Sequence, residues 1–447
     1  MNARTITIAS SLALLVACPE PTPVDDGGAG ADAHSGVDAA SHDAGSQDAL
    51  RPDNGDLPNL EQGTWQIENV SNTTGTISHD GALAFTDDGT LWVAWSEPLA
   101  TQTSDQDIWT GSHGSSSWTS APFTSDVDVQ NSFPRLAARG TTAYLVFNGY
   151  PGGDNDIFWS SADVGNAFTD HFDLTSSTEA SATRSDYHPE LAISPGGEFA
   201  VAYLSNPIDG NGDSTGPADV RVLRFAAPTS PGTPETAIAT PANEFCDDQR
   251  IAYDRQGDLH LVASCGPMLQ GTVRYATDRS GSWVVTPIPA GSTSTGYSPQ
   301  MAIDPDGATL HVVWVGDLAC GGNSCSDLFY TRIADGTAAA PVHITSTSAA
   351  VDDEKAPALA VDVGGRVLVA FQRSNASNFF DIFFTWSADG ASWSAPRNVT
   401  SSASVDDWML WSLAVDPLTQ RPHLSYTKIL AGTNPLDTEV MHAWLAP

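Results

Sequence analysis

The chain has 447 residues, with 54 acidic side chains against 18 basic ones and a formal charge of −36. A surface this negative repels phosphate backbones and anionic headgroups, which excludes a nucleic-acid partner. The hydrophobic share of 40%, including 13 Trp, 16 Phe and 9 Tyr, suffices for a large packed core, and length alone allows two or three domains.

Residues 1–17 carry one arginine and then an apolar run from Ile6 to Ala17, the pattern of a secretory signal and too short to stay as a membrane-spanning helix. The end of that run, Leu15-Val16-Ala17-Cys18, resembles the lipobox of bacterial lipoproteins. The resemblance implies cleavage before Cys18, acylation of Cys18 and a lipid anchor in a bacterial cell envelope, at the outer membrane, with the side left open. An ordinary secreted protein is the alternative. Residues 18–62 then form an acidic, low-complexity stretch with almost no large apolar side chain, expected to be a solvated tether. His34 and His42 lie in it as bystanders.

From Gly63 to Pro447 one unit repeats. An apolar strand recurs as Leu91-Trp92-Val93-Ala94-Trp95, Tyr144-Leu145-Val146-Phe147, Ala200-Val201-Ala202-Tyr203, Leu261-Val262-Ala263-Ser264, Val312-Val313-Trp314, Leu368-Val369-Ala370-Phe371 and Leu424-Ser425-Tyr426. The spacing of about 55 residues, with only strand signals in each unit, predicts a single all-β domain: a β-propeller of seven four-stranded blades, with six or eight as alternatives. Strand a carries an alanine-containing core such as Leu191-Ala192-Ile193, small enough for the crowded centre. Strand c opens on Asp-aliphatic-x-aromatic, as in Asp156-Ile157-Phe158-Trp159. The last unit stops after strand c, and residues 64–70 read as an orphan strand d that closes the ring and removes its open edges.

One turn between strands c and d, Ser161-Ala162-Asp163-Val164-Gly165-Asn166-Ala167-Phe168, resembles the Asp box of sialidase-type propellers (BNR repeats). Ser387-Ala388-Asp389-Gly390-Ala391-Ser392-Trp393 is one residue short of the same pattern, and Thr277–Trp283 is more degraded. In that family the boxes are structural and lie on the face opposite the ligand, so the resemblance speaks to fold more than to activity.

Asp209, Asn211 and Asp213 have the alternating spacing of a calcium loop, with Asp219 near the place of the missing twelfth-position glutamate; calcium is the one cofactor this suggests, and a plain Asn/Gly loop is the alternative. Four cysteines besides Cys18 suit an oxidising compartment. Cys246 begins strand a and Cys265 ends strand b of one unit, with a turn midway, and Cys320 and Cys325 bracket one loop. Two disulfides, Cys246–Cys265 and Cys320–Cys325, are therefore expected, with a four-thiolate zinc site as the alternative.

Short a–b turns contrast with b–c connections of about 8–15 residues at Glu97–Gln106, Ser205–Ala218, Gly316–Ser326 and Thr427–Thr438, and long loops on a rigid ring are where binding surfaces form. That face also collects His188, Glu190, Asp247, Asp248, Lys355 and Trp408. The recurring acids at the start of strand c, including Asp107, Asp156, Asp219, Asp327 and Asp381 with Glu439 in register, read as architectural carboxylates holding loop amides. The expectation is a non-catalytic module binding a glycan or an envelope protein there. The enzymatic alternative, implied by the sialidase resemblance, is an exo-sialidase-like hydrolase that clamps a carboxylate with Arg135, Arg250 and Arg373 and uses Tyr187 or Tyr297 as nucleophile. The family's arginine motif is absent: Phe133-Pro134-Arg135-Leu136 is a scrambled echo of it.

Overall fold

The computed structural model describes residues 57–447, apart from 74, 100–105, 115–116, 126–128, 152–153, 177–182, 268–270, 292, 294, 321–322, 346–352, 375–378, 403–405 and 431–436, and apart from the side chains of 319, 320, 323, 324 and 408. Cys18, the signal-like segment and the linker histidines lie outside the described residues. The described chain is a seven-bladed β-propeller, each blade an antiparallel meander in sequence order. The innermost strands a run His79–Phe85, Asn131–Arg139, Arg184–Ile193, Phe245–Tyr253, Tyr297–Ile303, Glu354–Val361 and Asp407–Val415. Each touches the next around the ring, and the seventh touches the first. The outer strand d of some blades is as short as Phe172–Asp173 or Arg397–Asn398, and in blade 5 it is split in two. Blade 7 takes its strand d from the start of the domain: Thr64–Asn69 pairs with Thr438–Ala446 in a continuous register from Thr64↔Ala446 to Asn69↔Met441.

The period-two alternation of each strand explains how the blades stack. In blade 2, Leu145 and Phe147 join Trp92, Ala94 and Ile108 of blade 1, while Val146 and Tyr144 join Val201, Tyr203 and Leu223 of blade 3. Both faces of each blade are thus buried, so strand b reads as a continuous apolar run rather than an alternating one.

The strand-c acids are architectural, and each finds a hydroxyl or amide just after strand d. Asp107 accepts from Thr124 (2.8 Å), whose own oxygen takes the Ile108 amide. Asp156 and Thr175 repeat this arrangement with the Ile157 amide, and Thr400 takes the Ile382 amide beside Asp381. Asp219 accepts the Thr240 amide, and Glu439 accepts the Thr73 amide and the Ser71 hydroxyl. The fourth blade has Thr272 at this register and no acid.

One connection departs from expectation. Gly316–Ser326 is not an open loop: strands b and c of blade 5 extend as a hairpin, Thr309–Cys320 against Asn323–Ala334, paired down to Cys320↔Asn323. Continuous main-chain pairing satisfies the backbone that a loop would leave to solvent.

Candidate functional site

The site is the mouth of the central channel on the side of the b–c connections. Every strand a is bulged at the same place. The register shifts between His79 and Ala82, Ser132 and Arg135, Tyr187 and Glu190, Asp247 and Arg250, Tyr297 and Gln300, Lys355 and Ala358, and Trp408 and Leu410. Within each shift one residue has a left-handed backbone: Asp80, Phe133, His188, Asp248, Ser298, Ala356 and Met409, with φ between 42° and 62°. Four of them precede proline (Pro134, Pro189, Pro299 and Pro357). Proline is tolerated because the innermost edge has no further strand to receive an N–H. A bulge turns a strand and re-aims its side chains, so these seven positions ring the mouth.

Just past the bulge, blades 2 to 5 carry Arg135, Glu190, Arg250 and Gln300, and these four join into one belt. Arg135 Nε donates to Glu190 Oε1 at 2.6 Å, Arg250 Nη1 lies 3.0 Å from the same oxygen, and Arg250 Nε donates to Gln300 Oε1 at 2.9 Å. The main-chain carbonyls of Pro134 and Gln249 take Nη1 of Arg135 and Arg250. Nη2 of both arginines has no hydrogen-bond partner among the described residues, and it is not sealed from solvent. In blades 6, 7 and 1 the same register holds Ala358, Ser412 and Ala82, so one arc of the wall is polar and the other small.

Carboxylates surround the belt. Asp80 is buried and accepts from His79 Nδ1 at 2.8 Å, Ser96 Oγ at 3.1 Å and the Phe133 amide at 3.4 Å. Burial opposes its charge, but His79 and Arg135 outweigh that cost and hold Asp80 below the usual range; Asp80 in turn raises His79 against burial. Asp248 accepts from Ser298 (3.1 Å), and burial beside Asp247 raises it. Asp247 meets His188 Nδ1 at 3.3 Å, and His188 packs on the Phe133 ring with centroids 4.1 Å apart. The Gln249 amide donates to the His188 carbonyl. His188 and Asp248 were placed on this face from the sequence, but the strand-a bulge that aims them and the His79–Asp80 pair were not; the recurrent X-Pro at one register was the signal for the bulge.

The proposed sialidase constellation does not assemble. Arg135 and Arg250 meet on Glu190, but Arg373 is bound within blade 6, with Nε 2.8 Å from Glu354 and its guanidinium against Phe371 and Phe383. Tyr187 donates to Asn206 (3.0 Å) and Tyr297 to Asp317 (3.1 Å), so neither is hydrogen-bonded to a glutamate. Lys355 lies 3.4 Å from Asp353 and over the Phe380 ring, while the side chain of Trp408 is outside the described residues.

The expected Cys246–Cys265 disulfide is present. It occupies the a–b rung that elsewhere holds a polar pair: Glu354 with Arg373, Asp407 with Lys428 (3.6 Å), Asp186 with Ser205 (2.5 Å). Cys325 is disulfide-bonded as well, and the side chain of its expected partner Cys320 lies outside the described residues. In the Asp209–Asp213 loop, Asp209 Oδ1 accepts the Asn211 and Asp213 amides at 2.8 and 3.1 Å, and these bonds lower its pKa. Among the described residues no three His, Cys, Asp or Glu side chains are gathered as a metal site.

No protein family's profile matches the chain, and no curated protein sequence matches it. Solved structures do. A polysaccharide lyase of family PL25, an ulvan lyase, aligns over 70% of this chain and 80% of its own with TM-score 0.52 and 12% identity. The polysaccharide lyase Uly1 aligns over 82% and 90%, with TM-score 0.51 and 10% identity. A Hadza microbial sialidase covers 82% of this chain and 65% of its own at TM-score 0.46 and 14% identity, too distant to argue from. At these identities the likeness establishes the fold alone.

Proposed function

We propose that this protein is a lipid-anchored propeller of a bacterial envelope that binds a glycan at the channel mouth without transforming it. The observation that carries this is the belt Arg135–Glu190–Arg250–Gln300. It alternates donors and acceptors across four adjacent blades and leaves an Nη2 of each arginine without a partner among the described residues. A polyhydroxylated ligand offers both donors and acceptors at close spacing, and the small residues opposite leave room for it. The polysaccharide lyases with the same fold act on glycans, which agrees with this ligand class. An envelope protein reaching into the mouth with a polar loop is the other partner this face suits. The sialidase-like alternative has less to stand on, because it needs Arg373 beside the other two arginines and a tyrosine against a glutamate.

A glycan array tests the reading. Wild-type protein is expected to retain a defined set of glycans, Arg250→Ala to lose them, and a fluorogenic sialoside to stay intact with both. Turnover of the sialoside, lost in Arg250→Ala, overturns it in favour of the hydrolase. The anchor is tested separately: Cys18→Ser should move the protein from the membrane fraction to the soluble one.

A further inference from the structure

On the opposite face, where the a–b turns lie, a cavity of about 420 Å³ opens between blade 7 and blade 1; its wall includes Phe85, Asp88, His113, Asp416, His423 and Trp444. Three blades place histidine at one register of strand b: His260 opposite Ala252, His311 opposite Ala302 and His423 opposite Ala414. In blades 4 and 5 both ring nitrogens are spent. Nδ1 meets the hydroxyl of Tyr275 (2.7 Å) or Tyr330 (2.6 Å), and Nε2 meets Asp254 (3.2 Å) or Asp304 (2.8 Å). Blade 7 breaks this pattern twice. His442 stands in place of the tyrosine, and Asp416, the counterpart of Asp254 and Asp304, turns its oxygens to the Leu418 amide (2.8 Å) and the Thr419 hydroxyl (2.6 Å).

The proton positions in blade 7 follow from this arrangement. Glu68 receives Trp118 Nε1 at 2.8 Å and His442 Nδ1 at 2.9 Å, and against the cost of burial these bonds keep it ionised. His442 therefore carries its proton on Nδ1. Burial keeps the ring neutral, so its Nε2 is a bare acceptor, 2.9 Å from His423 Nδ1. His423 must donate there, and its own Nε2 is left as a lone pair with no partner among the described residues. Burial first, then His442 and His113, hold His423 down to about 2, so this lone pair persists at any ordinary pH.

We propose that this cavity binds a small organic amine in its ammonium form, with an N–H on Nε2 of His423, the charge against Asp88 and Asp416, and the hydrocarbon on Trp444 and Phe85. The lone pair and the carboxylates are all acceptors, which selects a donor. Glu68, Asp88 and Asp416 in the wall, with its aromatic faces, select a cation over a neutral polyol, and they do so against the nearby charge of Arg421. The cavity lies on the face away from the channel mouth, so its fate does not depend on the glycan reading.

Isothermal titration of the full chain with putrescine, and separately with methyl glucoside, tests this. Putrescine is expected to bind and methyl glucoside to give no heat. His423→Phe keeps a ring against Phe85 but removes the lone pair, and should weaken putrescine about tenfold or more. Asp88→Asn, at an exposed turn, should weaken it as well and guards against misfolding of the buried variant. No heat with putrescine, unchanged affinity in the folded variants, or tighter binding of the glucoside than of the amine would overturn the proposal.

Discussion

Arg135 and Arg250, two blades apart in the ring, reach the same atom: Oε1 of Glu190 lies 2.6 Å from Arg135 Nε and 3.0 Å from Arg250 Nη1. One carboxylate thus fixes both guanidinium groups, and all three side chains are mostly shielded, with 14% of Glu190 and about a fifth of each arginine exposed. Shared in this way, Glu190 orients the arginines rather than merely neutralising one of them.

Glu190→Gln should therefore release both arginines together. Because the groups are partly solvated, the expected loss of stability is modest, about 1–2 kcal/mol, below the range for fully buried pairs. Urea unfolding measures it. A double-mutant cycle between Arg135→Ala and Glu190→Ala should show non-additivity; strictly additive losses would mean that the contact contributes nothing.

The interface between blades 2 and 3 makes stability depend on pH. Burial pushes Asp156 up to about 6, helped by the charges of Asp173 and Asp154, and pushes Asp186 up to about 7, helped by the charge of Asp156. Both groups hold their protons more tightly folded than unfolded. Their contribution is complete below the ordinary carboxylate range, and it is lost as pH rises through about 6 to 7. The melting temperature should fall between pH 5 and pH 8, and Asp186→Asn should flatten that slope. A melting temperature that rises over this window in the wild type contradicts the assignment.

The threonine after strand d is a repeated clamp, as Thr124 shows between Asp107 and the Ile108 amide. Thr124→Val keeps the shape and removes both bonds, leaving a buried carboxylate short of a donor. The expected cost is about 1–3 kcal/mol, read by denaturant unfolding. Thr119→Val, within the outer strand Trp118–Pro122 and exposed, should change little.

The Cys246–Cys265 bond joins two cysteines at a sequence separation of 19. Chain-entropy reasoning gives it about 3 kcal/mol against the unfolded chain. Cys246→Ala with Cys265→Ala should lower the guanidinium midpoint accordingly, and reductant should then shift the midpoint of this double variant less than that of the wild type.

Much of the architecture was legible because it is written in repetition. The strand-b runs and strand-c acids recur at a fixed period, and burial of both blade faces makes those runs uniformly apolar. Cys246 and Cys265 were paired correctly because a symmetric hairpin places them on one rung. The side-chain partners were not legible. Glu190 lies 55 positions from Arg135, and Glu68 lies 374 positions from His442, so no local pattern announces either contact. Arg373 illustrates the limit most sharply. The sialidase resemblance implies it as a carboxylate clamp, but whether it faces the channel or Glu354 depends on packing against Phe371 and Phe383, and packing decides for Glu354.

The most direct test of a binding channel mouth is hydrogen exchange of the protein with and without a glycan retained on the array. The account predicts slowed exchange in peptides spanning the strand-a bulges of blades 2 to 5, around Phe133–Arg135, His188–Glu190, Asp248–Arg250 and Ser298–Gln300. Protection confined to the outer strands or to the a–b turn face, with these four segments unchanged, would contradict it.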